Sequence, residues 1–121
     1  MIVAGFGFRE GASLASLEAA LALAQAGLPR VTALAAPQDK AWALRELAEA
    51  VGLPLVGLAP EELSAVPTAT ISIASLLARR TGSVAEAAAL AAAGPAAALL
   101  CPRRISPDRM ATCAIATGKP L

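Results

Sequence analysis

The stretch Ile2-Val3-Ala4-Gly5-Phe6-Gly7-Phe8-Arg9-Glu10-Gly11-Ala12-Ser13 decides the fold. It reads as a buried strand that runs into a glycine-rich turn carrying one arginine, after which Ser13 is placed to cap a helix. Gly5, Gly7 and Gly11 allow φ > 0 or a close backbone approach, and the helix that opens there turns free N–H groups toward the same place. Two readings stand side by side. Either Gly5, Gly7, Arg9, Gly11 and Ser13 contact an anionic ligand, or the glycines only let a helix pack tightly on a sheet.

Working outward, Leu14, Leu17, Leu21 and Leu28 mark one face of a helix through Ala26, closed by Gly27. Val31 to Ala35 reads as a second buried strand, which makes a βαβ unit with parallel pairing and a right-handed crossover. Pro37 and Asp39 suit the first turn of the next helix. Lys40 then falls at the same sheet edge as Arg9, because open α/β sheets bind ligands outside the carboxyl ends of their strands. That helix carries Leu44, Leu47, Ala48 and Val51 on one side and stops at Gly52, and Trp42 near its start is read as a packing residue in preference to one that flanks a site.

Leu53 to Leu58 is a third strand, with Pro54 marking its start or a sheet edge. Pro60-Glu61-Glu62-Leu63 opens a short helix, and another is expected from about Ile71. Ser83-Val84-Ala85-Glu86 is a capping box: Ser83 accepts from the Glu86 N–H and the Glu86 carboxylate reaches back. The helix runs through alanines to Ala93 and ends at Gly94-Pro95. Ala97 to Cys101 and Met110 to Ala116 are final strands, joined by a connection too short for a crossover helix and therefore antiparallel. The expected fold is a single three-layer α/β/α domain over residues 1–121, with a mixed sheet of about five strands ending in an antiparallel pair.

Composition narrows the chemistry. The chain has 121 residues, of which 57% are hydrophobic and only 2% aromatic, so alanine-lined helices are expected to pack closely on the sheet. The longest uncharged runs are broken by Pro67 and by Gly94-Pro95, short of the roughly 18 to 20 apolar residues of a membrane span. With no basic leader at the N-terminus, a cytoplasmic location is expected. Histidine is absent, which removes the commonest general base and transition-metal ligand, and no metal site is expected. Cys101 and Cys113 read as buried strand thiols in a reducing compartment. Residues 1–78 carry four basic and seven acidic side chains, whereas residues 79–121 carry six and two. That asymmetry, with Arg79-Arg80 and Arg103-Arg104 in the basic half, suits an anionic partner as well as a solvated face. Nucleic acid is disfavoured, because stacking aromatics are missing.

In order, the chain shows a glycine-rich first turn with arginine, a lysine after the second strand, a Ser-Val-Ala-Glu-Ala-Ala-Ala-Leu helix start, and a Pro-Arg-Arg hairpin before Met-Ala-Thr-Cys-Ala-Ile-Ala. This order resembles the cobalamin-biosynthesis family that comprises the stand-alone protein CobE and the C-terminal domain of CbiG, over roughly residues 2 to 117. The family's Gly-x-Gly-Cys-Arg-x-Gly opening aligns with Gly5 to Gly11, with Phe8 where a cysteine is usual, so no thiol chemistry carries over. The usual hairpin lysine corresponds to Arg103, which keeps the charge and changes the hydrogen-bond geometry.

The resemblance implies a stand-alone protein of the aerobic cobalamin (vitamin B12) route that binds or processes a polycarboxylate corrin or precorrin intermediate. The implied ligand-binding set is Gly5, Gly7, Arg9, Gly11, Ser13, Lys40, Ser83, Arg103 and Arg104, with no cofactor. Other cobalamin-pathway enzymes are candidate partners, a homo-oligomer is left open, and neither nucleic acid nor a membrane is expected. Two alternatives remain: a scaffold for another pathway enzyme, and a hydrolase related to cobalt-precorrin-5A hydrolase. For the latter, Glu10, Asp39, Lys40 and Glu86 are the proton-transfer candidates.

Overall fold

The computed structural model describes residues 1–79 and 81–118, and only the backbone of Ala74 and Ala78, so Arg80 of the basic pair lies outside the described residues. The elements run β1 (Ile2–Phe8), α1 (Leu14–Gln25), β2 (Ala33–Pro37), α2 (Arg45–Val51), β3 (Leu55–Leu58), α3 (Pro60–Ser64), α4 (Ile73–Arg79), α5 (Val84–Ala93), β4 (Ala98–Ile105) and β5 (Ala111–Thr117). The strands form one mixed sheet in the order β3-β2-β1-β5-β4. β1 is parallel to β2, and β2 to β3. β5 runs antiparallel to both β1 and β4.

Strand alternation builds three layers. Ala4 and Phe6 of β1 face a core with Leu17, Ala20 and Leu21 of α1, Leu47 of α2, and Cys113 and Ile115 of β5. Val3 of β1 faces a second core with Leu63 of α3 and Ala87 and Ala88 of α5. Gly5 and Gly7 share this second face, and Gly5 explains why α5 is an alanine run. A Cβ on Gly5 would sit 2.2 Å from the Ala85 carbonyl oxygen and 2.4 Å from the Ala89 nitrogen. The helix backbone therefore rests directly on the strand.

Several expectations are corrected. β2 begins two residues later than expected and takes in Pro37, which pairs with Leu58 of β3 instead of opening a helix. A 3₁₀ turn, Ala41–Leu44, then leads into α2. Trp42 is 72% exposed, so it does not serve as a packing residue. α4 begins at Ile73 instead of about Ile71. β4 runs on to Ile105, so Arg103 and Arg104 sit on a strand with opposite exposure instead of in the connection. Cys101 and Cys113 are buried free thiols, as expected. Burial, reinforced by Cys101, pushes the Cys113 thiol well above its ordinary range.

Candidate functional site

The chain reverses where the parallel strands end, and a cleft of about 420 Å³ opens there. β1 delivers Gly7 and Phe8 to it, followed at once by Arg9. β2 ends at Pro37, and a turn closed by the Lys40 N–H donating to the Pro37 carbonyl (2.9 Å) brings Lys40 in beside them. β4 contributes Arg103 and Ile105, the following hairpin Arg109 and Met110, and α4 contributes Ser75 and Arg79, with Ser72 just ahead of it. The N-terminus of α5 completes the wall with Ser83 and Val84. Arg9, Lys40, Arg79, Arg103 and Arg109 are cations, and none of the lining residues is acidic.

Lys40 and Arg79 are held within the protein, and the other three cations are not paired among the described residues. Lys40 donates from Nζ to the Phe8 carbonyl (3.2 Å) and stands 5.3 Å from the centroid of the Phe8 ring. The aromatic at the position of the usual cysteine thus supports the lysine through a cation–π contact. Arg79 makes a bidentate pair with Asp39, at 2.8 and 3.0 Å. The Arg79 guanidinium holds the Asp39 carboxyl below the ordinary carboxylate range. Arg9, Arg103 and Arg109 make no ion pair among the described residues.

The expected site residues divide. Gly7, Arg9, Lys40, Ser83 and Arg103 line the cleft together. Gly5, Gly11, Ser13 and Arg104 do not. Gly5 lies under α5 for the packing reason given above. Gly11 has open space around it and φ +86°, in a turn closed by the Ala12 N–H donating to the Arg9 carbonyl, where the backbone itself calls for glycine. Ser13 caps α1 by accepting from the Ser16 N–H at 3.1 Å. Arg104 is exposed on the side of β4 away from Arg103. The helix whose N-terminus meets the cleft is therefore α5, not α1. Two of the three glycines belong to β1 itself, so the chain runs on past the cleft before it turns into α1.

Glu86 was expected as half of a capping box and, under the hydrolase alternative, as a proton-transfer candidate. Its N–H does donate to Ser83 Oγ (3.3 Å), but its carboxylate reaches elsewhere. It accepts from the Thr70 N–H (2.8 Å), the Thr70 hydroxyl (2.6 Å) and the Arg103 N–H (3.0 Å), with the whole residue fully buried. Burial opposes the charge. The Thr70 hydroxyl and the Arg103 and Thr70 N–H groups outweigh it and hold the carboxyl below its ordinary range. Glu86 so ties the segment leading into α4 to the strand that carries Arg103. Arg79 and Arg109 were also absent from the expected set. Arg79 could have been suspected from the basic pair, whereas no local signal marked Arg109.

Among the described residues no group of His, Cys, Asp and Glu is arranged to hold a metal ion. No described helix is long and apolar enough to cross a membrane.

The chain can now be set beside known proteins. A family model described as Cobalamin synthesis G C-terminus matches residues 2–116. The solved structure of CobE, a protein from the cobalamin (vitamin B12) biosynthetic pathway, is similar with TM-score 0.86 and 34% identity, over 96% of this chain and 89% of that one. The cobalamin biosynthesis protein chiG from Agrobacterium tumefaciens str. C58 is similar with TM-score 0.75 and 36% identity, over 99% of this chain and 100% of that one. A cobalamin biosynthesis protein G homolog from Sulfolobus solfataricus shares the fold at TM-score 0.74 and 19% identity, over 98% of this chain and 37% of that one. No curated protein matches. With a family model spanning almost every residue and two structures above 30% identity, the chain belongs to the cobalamin synthesis G C-terminal family and is a cobalamin-biosynthesis protein of the CobE and CbiG C-terminal type.

Proposed function

We propose that the cleft binds the peripheral carboxylates of a corrin or precorrin intermediate of cobalamin synthesis in the cytoplasm. One observation carries the reading: five cationic side chains converge on a cleft whose lining holds no acid. Guanidinium groups pair with carboxylates through two parallel hydrogen bonds, and Arg9, Arg103 and Arg109 are without ion-pair partners among the described residues. Val84, Ile105 and Met110 supply apolar surface between the charges, which suits the edge of a macrocycle. The α5 N-terminus adds the positive end of its dipole.

The reading is one of binding. Of the carboxylates offered for proton transfer, Glu10, Asp39 and Glu86 all lie outside the lining, with Asp39 committed to Arg79 and Glu86 to Thr70 and Arg103. Absorbance titration with cobyrinic acid, a polycarboxylate corrin, and with cobinamide, its amidated counterpart, tests the proposal. Cobyrinic acid is expected to bind at least tenfold more tightly, about 1.4 kcal/mol. Equal affinity for the two would overturn it.

The scaffold reading draws on a separate observation. Ser75 of α4 and Ser72 just ahead of it line the cleft, while Ile73 and Leu77 of α4 are 75% and 83% exposed. Under that reading, exchanging Ile73 and Leu77 for glutamate abolishes sedimentation with a partner enzyme of the pathway and leaves cobyrinic acid binding unchanged.

A further inference from the structure

We propose that Arg109 is a ligand-contacting residue of the cleft, kept at a left-handed backbone position that glycine would occupy with less strain. The inference rests on the reading of the cleft as a carboxylate site.

Pro107 and Asp108 form the tip of the β4–β5 hairpin. The Arg109 N–H donates to the Ser106 carbonyl, and the Ser106 N–H to the Ala111 carbonyl, both at 2.8 Å. The chain closes this turn by placing Arg109 at φ +62°. In short hairpins a type I turn is commonly followed by one left-handed residue, for which glycine is preferred. A Cβ and a long side chain there lower stability relative to glycine.

Nothing in the fold asks for the arginine. Its guanidinium makes no ion pair among the described residues, and its surroundings are the cleft with Arg9 and Arg103. The turn that bears it is fixed in advance. Asp108 Oδ1 accepts from the Ser106 hydroxyl (2.5 Å) and the Met110 N–H (3.1 Å), and Oδ2 accepts from the Ser16 hydroxyl at the start of α1. The guanidinium is thus delivered by a backbone that needs no ordering when a ligand arrives. Strain alone does not make the argument, because Ala96 also lies at φ +63° and lines no part of this cleft. The combination of strain, a rigid turn and a cation with no ion pair among the described residues that lines a cleft with other cations does.

The test sets stability against binding. Cobyrinic acid is titrated by absorbance into the parent, Arg109→Gly, Arg109→Asn and Arg109→Lys, and thermal unfolding is followed for each. Arg109→Gly and Arg109→Asn are expected to unfold about 3 °C higher and to bind about tenfold more weakly, with Arg109→Lys intermediate in affinity. Unchanged affinity in Arg109→Gly would overturn the inference and leave the carboxylate site standing. A lower unfolding temperature for Arg109→Gly would overturn it too, since the arginine would then be serving the fold. If the parent fails to bind cobyrinic acid, both the site and this inference fall.

Discussion

Gly5 has no room for a side chain, because the nearest atoms are helix backbone that cannot swing away. Gly5→Ala is therefore expected to cost about 3 kcal/mol, read as a drop in the thermal midpoint, by the overpacking penalty of close-packed cores. Gly11→Ala acts by another route, through φ alone, and should cost about 1 kcal/mol. The sequence held both glycines in one motif and could not separate them, since a motif records which residue is present and not what it touches. Glu86 taught the same lesson. Its spacing from Ser83 predicted the cap, and half of that cap is real, but the carboxylate found stronger donors sixteen and seventeen residues away in Thr70 and Arg103. Glu86→Gln places an amide against those donors and is expected to destabilise the fold by about 3 kcal/mol in denaturant unfolding. The folded pKa values of Glu86 and Asp108 are both depressed, so the stability they confer is complete above the unfolded values of about 4.3 and 3.9 and is lost as pH falls through the folded ones. The unfolding midpoint should hold from about pH 7 to about pH 5 and decline below about pH 4. A midpoint that kept rising in acid would contradict this.

At the scale of elements, patterning found the helices and strands and misplaced their ends. The alanine-rich helix after Ser83 was legible from its cap and from Gly94, and the first strand from its opening apolar residues, although Gly5 and Gly7 were read as the turn beyond it and belong to the strand. The ends of β2 and β4 were not. Pro37 reads as a helix starter by local preference, yet pairing with β3 keeps it in the sheet. The Arg103-Arg104 pair reads as a loop by polarity, yet its strand pairs with β5 through two register shifts. In each case a contact distant in sequence overrode a local preference. α4 shows how weakly an element can be held. None of its described side chains is buried, and its C-terminal end is pinned by Arg79 to the exposed Asp39. Amide hydrogens of Ile73 to Arg79 should exchange well before those of α5, and Asp39→Asn should change global stability by less than about 1 kcal/mol. Exchange in α4 as slow as in α5 would contradict that view.

Across the whole molecule, charge is sorted by the sheet. The sequence divides into an acidic first part and a basic second part, and the fold carries Arg9 and Lys40 from the first part across to Arg79, Arg103 and Arg109 from the second. The rule that ligands sit beyond the carboxyl ends of parallel strands located that edge in advance, for Arg9 and Lys40 alone. The antiparallel pair then brings Arg103 and Arg109 to the same edge, which required knowing that β5 lies against β1. On the proposed reading these converging cations bind a polycarboxylate corrin. The most direct measurement is calorimetric titration of cobyrinic acid into the parent and into the triple variant Arg9→Ala, Lys40→Ala, Arg103→Ala, after thermal unfolding has shown both to be folded. The triple variant is expected to lose at least a hundredfold in affinity, about 2.7 kcal/mol, and binding by the parent to weaken steeply with added salt. Affinity that is unchanged in the triple variant, or indifferent to salt in the parent, would contradict that reading.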